Sequence, residues 1–184
     1  HQGFIPWDGD IDVGMLEDDY KKFKKIIKNN LPNTLVFIPN NIHEYLPFYE
    51  IPSKIRDLYS FHYEGAENEG LCIDIFKFKK QGDYIIGNAG IFGAPDKYKR
   101  KYTDVFPLKE SNFEGIKVYI PNKTKEVSKK IWGNYPPSLP SVKKRYPHEG
   151  KIIPDRPNKH MIRKYKEQYK KKKEKNKNKK KYFF

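Results

Sequence analysis

Between Met15 and Pro32 the apolar positions Leu16, Tyr20, Phe23, Ile27 and Leu31 recur every three or four residues, the period that puts side chains on one face of a helix. Lysines, acids and asparagines fill the positions between them, so the spacing predicts one amphipathic helix. Glu17, Asp18 and Asp19 fall in its first turn, where carboxylates complement the positive end of the helix dipole, and Asn30 and Pro32 mark the exit. After that the pattern changes. Short runs rich in branched and aromatic residues, bounded by Pro, Gly or Asn, predict strands at 35–38, 48–51, 54–63, 71–78, 83–86 and 116–120. "PNKTKEVSKKIWGNY" predicts a second helix, with Asn122 as its cap, Val127 and Ile131 one turn apart, and Gly133 as its stop. Six prolines between Pro136 and Pro157 predict an extended wrap. No internal repeat is present, and the class is mixed α/β, of the α+β kind.

One stretch breaks the apolar logic. "FIPWDGDIDVGM", residues 4–15, sets Asp8, Asp10 and Asp12 at every second position. In a strand, residues two apart point the same way, so Asp10 and Asp12 send two carboxylates from one face while Ile11 and Val13 pack on the other. Adjacent carboxylates repel, and partial burial makes the repulsion worse, which suits a divalent cation between them. A polar strand edge or an Asx-type turn, which Gly9 and Gly14 permit, explains the same residues without a metal. A second element favours the metal. "CIDIF" places Asp74 alone among Cys72, Ile73, Ile75 and Phe76, where an unpaired carboxylate would be costly. A third oxygen ligand accounts for it, and an all-oxygen set that leaves room for phosphate describes Mg2+ or Mn2+.

Charge and composition change the picture in one place. The chain of 184 residues has the length of a single domain with a sizeable core, and it carries a formal +15. Between Arg163 and Lys181 stand twelve Lys/Arg against Glu167 and Glu174, so about two thirds of the net charge belongs to the C-terminal end and says little about the fold. The expected division is a folded body over 1–157 and a basic low-complexity tail over 158–184, helical or disordered. Such a tail is either simply solvated or adheres to polyanions or an anionic membrane surface; no specific nucleic acid partner is expected. Cys72 is the lone cysteine, which excludes an internal disulfide and a cysteine-based zinc site. No run of 18 apolar residues spans a membrane. Because the chain opens on His1, almost at the acidic motif, an N-terminal piece with any signal or anchor is expected to precede it.

The block "HQGFIPWDGDIDVGM" resembles the hallmark motif of the LicD family, which includes bacterial phosphocholine transferases, fukutin and fukutin-related protein. "KIRD", "LCIDIFKF", "FEGIKVYIPN" and "IWGNY…LP…KKRYPH" resemble later family blocks in the same order, so the likeness runs from His1 to about His148. The resemblance implies a nucleotidyltransferase-like fold, a small mixed sheet flanked by helices. It also implies metal-dependent transfer of a substituted phosphate from a CDP-linked donor to a glycan hydroxyl, with Asp10, Asp12 and Asp74 holding the metal. Three departures stand out: the "G-T-L-L-G-x-x-R" type block usual before this point is missing, Gly9 stands where many members have Asp or Tyr, and the cysteine cluster of fukutin-related protein has no counterpart.

Further candidates surround these acids. Asp8 is a general base or outer-shell ligand, or else a turn former before Gly9. Lys54 and Arg56, two apart on a predicted strand, project together as donors for the donor phosphates, or form a solvated face. Trp7 is expected to pack under the metal loop. Lys144, Arg145 and His148 resemble the family's late basic block and would touch acceptor or nucleotide, or else form a surface cluster beside Pro147. Two other classes fit the same residues: a D-x-D glycosyltransferase using a nucleotide-sugar, and a non-catalytic basic binding protein.

Overall fold

The computed structural model describes residues 3–4, 11–39, 41–43, 46–62, 71–87, 99–133, 152–153, 157–159, 161–163 and 165. Its centre is a six-stranded mixed sheet. Strand β1 (Ile11–Leu16) leads directly into helix α1 (Glu17–Asn30), and β2 (Leu35–Ile38) follows. Strands β3 (Asn41–His43) and β4 (Leu46–Ile51) pair as a separate antiparallel ribbon. Next come β5 (Ser53–Asp57), β6 (Phe61–His62), β7 (Cys72–Gln81), β8 (Tyr84–Gly87) and β9 (Arg100–Lys101). The main sheet runs β2-β5-β7-β8-β9, with β1 also paired to β7. The β1–β7 pair is parallel and the rest of the sheet antiparallel. Ile73 to Ile75 have partners in both β1 and β5, so β7 is flanked on both edges where Asp74 lies.

The helix forms where the three-and-four spacing predicts it and ends at Asn30, whose side chain donates to the Ile26 carbonyl at 2.8 Å and occupies an orphan acceptor of the last turn. Its first turn carries Glu17, Asp18 and Asp19, and the Lys21 ammonium holds the Asp18 carboxyl below its ordinary range. The apolar face packs on one side of the sheet. Tyr20, Phe37 and Ile75 are buried there, with Met15, Phe23, Ile27, Leu31 and Ile55 against them, and the Phe23 and Phe37 rings meet edge to face at 5.7 Å. The Tyr20 and Ser53 hydroxyls hydrogen-bond each other and tie α1 to β5. Both residues are buried, so Tyr20→Phe is expected to lower stability by about 1 kcal/mol in a urea titration without altering the helical signal.

A second core lies on the opposite face. Val36, Leu58 and Met161 are buried together, and Ile38, Tyr59, Ile162 and Tyr165 pack against them. The backbone at 159, 161–163 and 165 is helical. Asn158 begins this segment: its N–H donates to the Leu58 carbonyl and its side-chain oxygen accepts from the Met161 N–H at 3.0 Å. Asn158, Met161, Ile162 and Tyr165, which lie past position 157, therefore pack on the body, and residues from 166 onward lie outside the described ones.

A third unit carries helix α2 (Tyr102–Val105), strands β10 (Lys109–Phe113) and β11 (Ile116–Ile120), and helix α3 (Thr124–Trp132). β10 and β11 form a hairpin closed by Glu114 (φ 49°) and Gly115 (φ 78°), the left-handed pair that a two-residue turn of this hand requires. The predicted second helix is present, and Gly133 at φ 81° ends it, its N–H donating to the Lys129 carbonyl. Its start differs from the expected one. Lys123 is the capping residue and, carrying no side-chain acceptor, makes no cap bond, while the Asn122 side chain donates to the Thr103 carbonyl at 3.2 Å, tying the start of α3 to α2. Lys123 binds the Asp104 carboxylate at 2.8 Å, which holds its ammonium above the ordinary lysine range. Finally, β12 (Ile152–Ile153) pairs with β6. The predicted strand over 54–63 divides into β5 and β6, because the chain turns at Leu58 and Tyr59.

Candidate functional site

The sheet register assembles the site. Asp12 on β1 is the partner of Asp74 on β7, and Asp74 is the partner of Lys54 on β5. Lys54 in turn pairs with Ile38 on β2. Pleating sends register partners to one side, so Asp12, Asp74 and Lys54 form a row across three strands. The neighbouring row on the same face is Cys72, Arg56 and Val36. This face is the one that carries the Met161 core, opposite α1.

Asp74 is buried, and the Lys54 ammonium lies 2.7 Å from each of its carboxylate oxygens. The Cys72 thiol approaches Oδ1 at 3.7 Å. The lone carboxylate in an apolar strand is thus compensated by a neighbouring lysine, the pairing that a partly buried charge requires. Arg56 is 6 % exposed and shares the face with Lys54, as their two-residue spacing predicts. Asp12 is on the exposed part of β1. Ile11 is half-buried but Val13 is 38 % exposed, so the aliphatic pair behind the acids is covered only in part. The next residue on the acidic face, Gly14, is close-packed: a Cβ there would stand 2.9 Å from the Phe78 ring. Glycine lets Phe78 lie against β1 beside Asp12, which a larger side chain would push away.

Asp8, Asp10 and Trp7 lie outside the described residues, as do Lys144, Arg145 and His148 and the lysine-rich run. The chain is nonetheless held on both sides of Asp8 and Asp10. On one side Ile11 starts β1. On the other, the Phe4 N–H donates to Glu114 Oε1 at 2.9 Å, and its ring meets Phe113 edge-on at 5.0 Å. At Gly3 a Cβ would collide with the Glu114 carboxylate. The β10–β11 hairpin therefore anchors the leading end of the acidic motif. Sequence reasoning missed this role of Glu114; the "EG" dipeptide, a hairpin-turn signal between "SNF" and "IKV", could have pointed to the element but not to its contact with Phe4.

Among the described residues no cluster of three or more His, Cys, Asp and Glu side chains is positioned for a metal. Asp12 and Asp74 are two carboxylates on adjacent strands that face one way, the oxygen chemistry a hard cation takes, and Lys54 rests on both oxygens of Asp74. An open recess of about 610 Å³ is lined by Tyr102, Thr103, Phe106, Pro107, Leu108 and Tyr119. It includes none of the sequence-predicted site residues, so it is separate from the acidic row. No helix among the described residues is long and apolar enough to cross a membrane.

Comparison with known proteins gives three findings. Residues 1–123 match the family described as LicD/FKTN/FKRP, nucleotidyltransferase domain. An uncharacterized protein of Rickettsia prowazekii is 29% identical over 128 residues, covering 66% of this chain and 38% of that protein. Another, of Rickettsia typhi, is 26% identical over 124 residues, covering 66% of this chain and 31% of its own length. The chain thus spans about a third of the length of these curated relatives. No solved structure matches it.

Proposed function

Since the chain belongs to the LicD/FKTN/FKRP nucleotidyltransferase-domain family, whose members are transferases of the phosphotransferase, glycan-modifying type, we propose that it forms part of a divalent-cation-dependent enzyme. The reaction is transfer of a substituted phosphate, of phosphocholine or polyol-phosphate type, from a CDP-linked donor to a glycan hydroxyl. The observation that supports this reading best is the alignment of Asp12 with Asp74 across parallel strands, beside two cationic residues on one face.

Asp12 and Asp74, with Asp10 two positions before Asp12 in the sequence, would hold Mg2+ or Mn2+. When bound, the ion neutralises diphosphate charge and stabilises the departing phosphate. The remaining work falls to the chain. Arg56 and Lys54 supply cationic donors for the phosphate oxygens. Asp8 takes the proton as the acceptor hydroxyl attacks the phosphorus next to the alcohol. The new oxygen–phosphorus bond forms, the bond to CMP breaks, and CMP leaves with its electron pair. Lys144, Arg145 and His148 are assigned to the nucleotide or the acceptor, and the basic tail to polyanions or an anionic membrane surface.

Mass spectrometry of a glycan acceptor incubated with a panel of CDP-alcohols and Mg2+ or Mn2+ tests the reading. The expected product is heavier by one alcohol phosphate. A product heavier by one sugar, formed only from UDP- or GDP-sugars, would make the protein a D-x-D glycosyltransferase. No transfer at all, with salt-sensitive retention on heparin, would make it a basic binding protein. Arg56→Ala is expected to weaken CDP binding by about tenfold or more in calorimetry; unchanged affinity in a folded variant removes Arg56 from the donor site.

A further inference from the structure

Lys54 occupies Asp74 in a particular way. One ammonium lies 2.7 Å from both oxygens, so it takes the two atoms that the carboxylate would offer to a metal. The partners differ in freedom. Asp74 sits in the middle of β7 with paired strands on both edges, and its side chain is 12% exposed. Lys54 extends from β5 on a four-carbon stem and its side chain is 25% exposed, so it is the partner able to move. Lys54 in its present position takes both Asp74 oxygens, so a divalent ion ligated there by Asp74 must displace it, and at that distance the ammonium and the ion repel each other.

We propose that Lys54 is an exchangeable internal counter-ion. It neutralises Asp74 while the cation is absent and is displaced when a divalent cation binds. The exchange has two consequences. It weakens cation binding, because the ion must compete with a tethered ammonium. It also frees that ammonium on the same face as Arg56, where it meets the phosphate oxygens of the donor. The same lysine thus serves the buried acid before binding and the substrate after it. The inference rests on the reading of Asp12 and Asp74 as cation ligands, and it adds that Lys54 governs when that site can be filled.

The test is a titration of the full chain with MnCl2 alone, without nucleotide, followed by the electron paramagnetic resonance signal of free Mn2+. Lys54→Met removes the competing charge and is expected to bind Mn2+ at least about tenfold more tightly than the wild type. Lys54→Arg keeps the charge and is expected to bind close to the wild type, while Asp74→Asn abolishes the tight site. If the wild type binds Mn2+ and Lys54→Met binds it no more tightly, the exchange is overturned and the cation reading stands. If neither the wild type nor Lys54→Met binds Mn2+, the cation reading falls and the exchange with it. Amine acetylation of the wild type, read by peptide mass spectrometry, needs no variant. Lys54 is expected to label faster in saturating Mn2+ than in chelator, and unchanged or slower labelling overturns the proposal.

Discussion

Asp74→Asn is expected to lower transfer from a CDP-linked donor by about 10²–10³-fold, the scale of losing one group that stabilises transition-state charge. The variant also costs stability. The Lys54 ammonium loses both charged acceptors at 2.7 Å, and hydrogen bonds to charged groups contribute about 1.5–3 kcal/mol. A fall in melting temperature of about 3–12 °C follows for a domain of this length. Asp12→Asn separates the two effects. Asp12 lies on the exposed part of β1, whereas Asp74 is buried, so its variant should lose comparable activity with a smaller change in melting than Asp74→Asn. Parallel assays of turnover and thermal unfolding decide the matter. A wild-type rate for Asp12→Asn would end the assignment of the paired acids.

Met161→Ala is expected to damage the fold as much as truncation of any residue of the central sheet. Met161 is 2% exposed and packs with Val36 and Leu58 on the face of the sheet that carries the acidic row. Truncation to Ala leaves a cavity costing about 2–5 kcal/mol, a loss of at least about 4 °C in melting temperature. The same packing predicts a sharp dependence on where the chain is shortened. Removal of 166–184 should leave melting unchanged and abolish low-salt retention on heparin. Removal of 158–184 should unfold the domain, since it takes away Met161 and the Asn158 bond to Leu58. Equal melting temperatures for both truncations would show that this contact contributes nothing.

The elements differ in how readily they are read. Helix α1 was legible to within two residues because its apolar face repeats over four turns and its last turn carries Asn30, which bonds the Ile26 carbonyl. Strands β2, β7, β8 and β11 were legible because branched and aromatic runs end at Pro, Gly or Asn. Strands β3, β9, β10 and β12 were missed. "KESNF" lacks the apolar run that marks a strand, and pairing with β11 supplies its reason to be extended. The cap of α3 was misread because the helix begins at Thr124, one residue later than an Asn122 cap requires, and Asn122 donates to the Thr103 carbonyl of α2.

The site divides along the same line. Local pattern was enough to single out Asp12, Asp74, Lys54 and Arg56, because a charge at an apolar strand position is costly and so calls for a partner, and because period two puts Lys54 and Arg56 on one face. That reasoning works within one strand at a time. It contains no information on which strand lies beside which. Only the register of β1, β7 and β5 set Asp12, Asp74 and Lys54 in one row, and only that row made Lys54 the partner of Asp74. Likewise, "NKHMIRKYK" reads as the start of a polar tail, because Met161, Ile162 and Tyr165 are too few among lysines to signal a core. Val36 and Leu58 supply the rest of that core from more than a hundred residues away, and burial depends on the sum of apolar surface brought together in space.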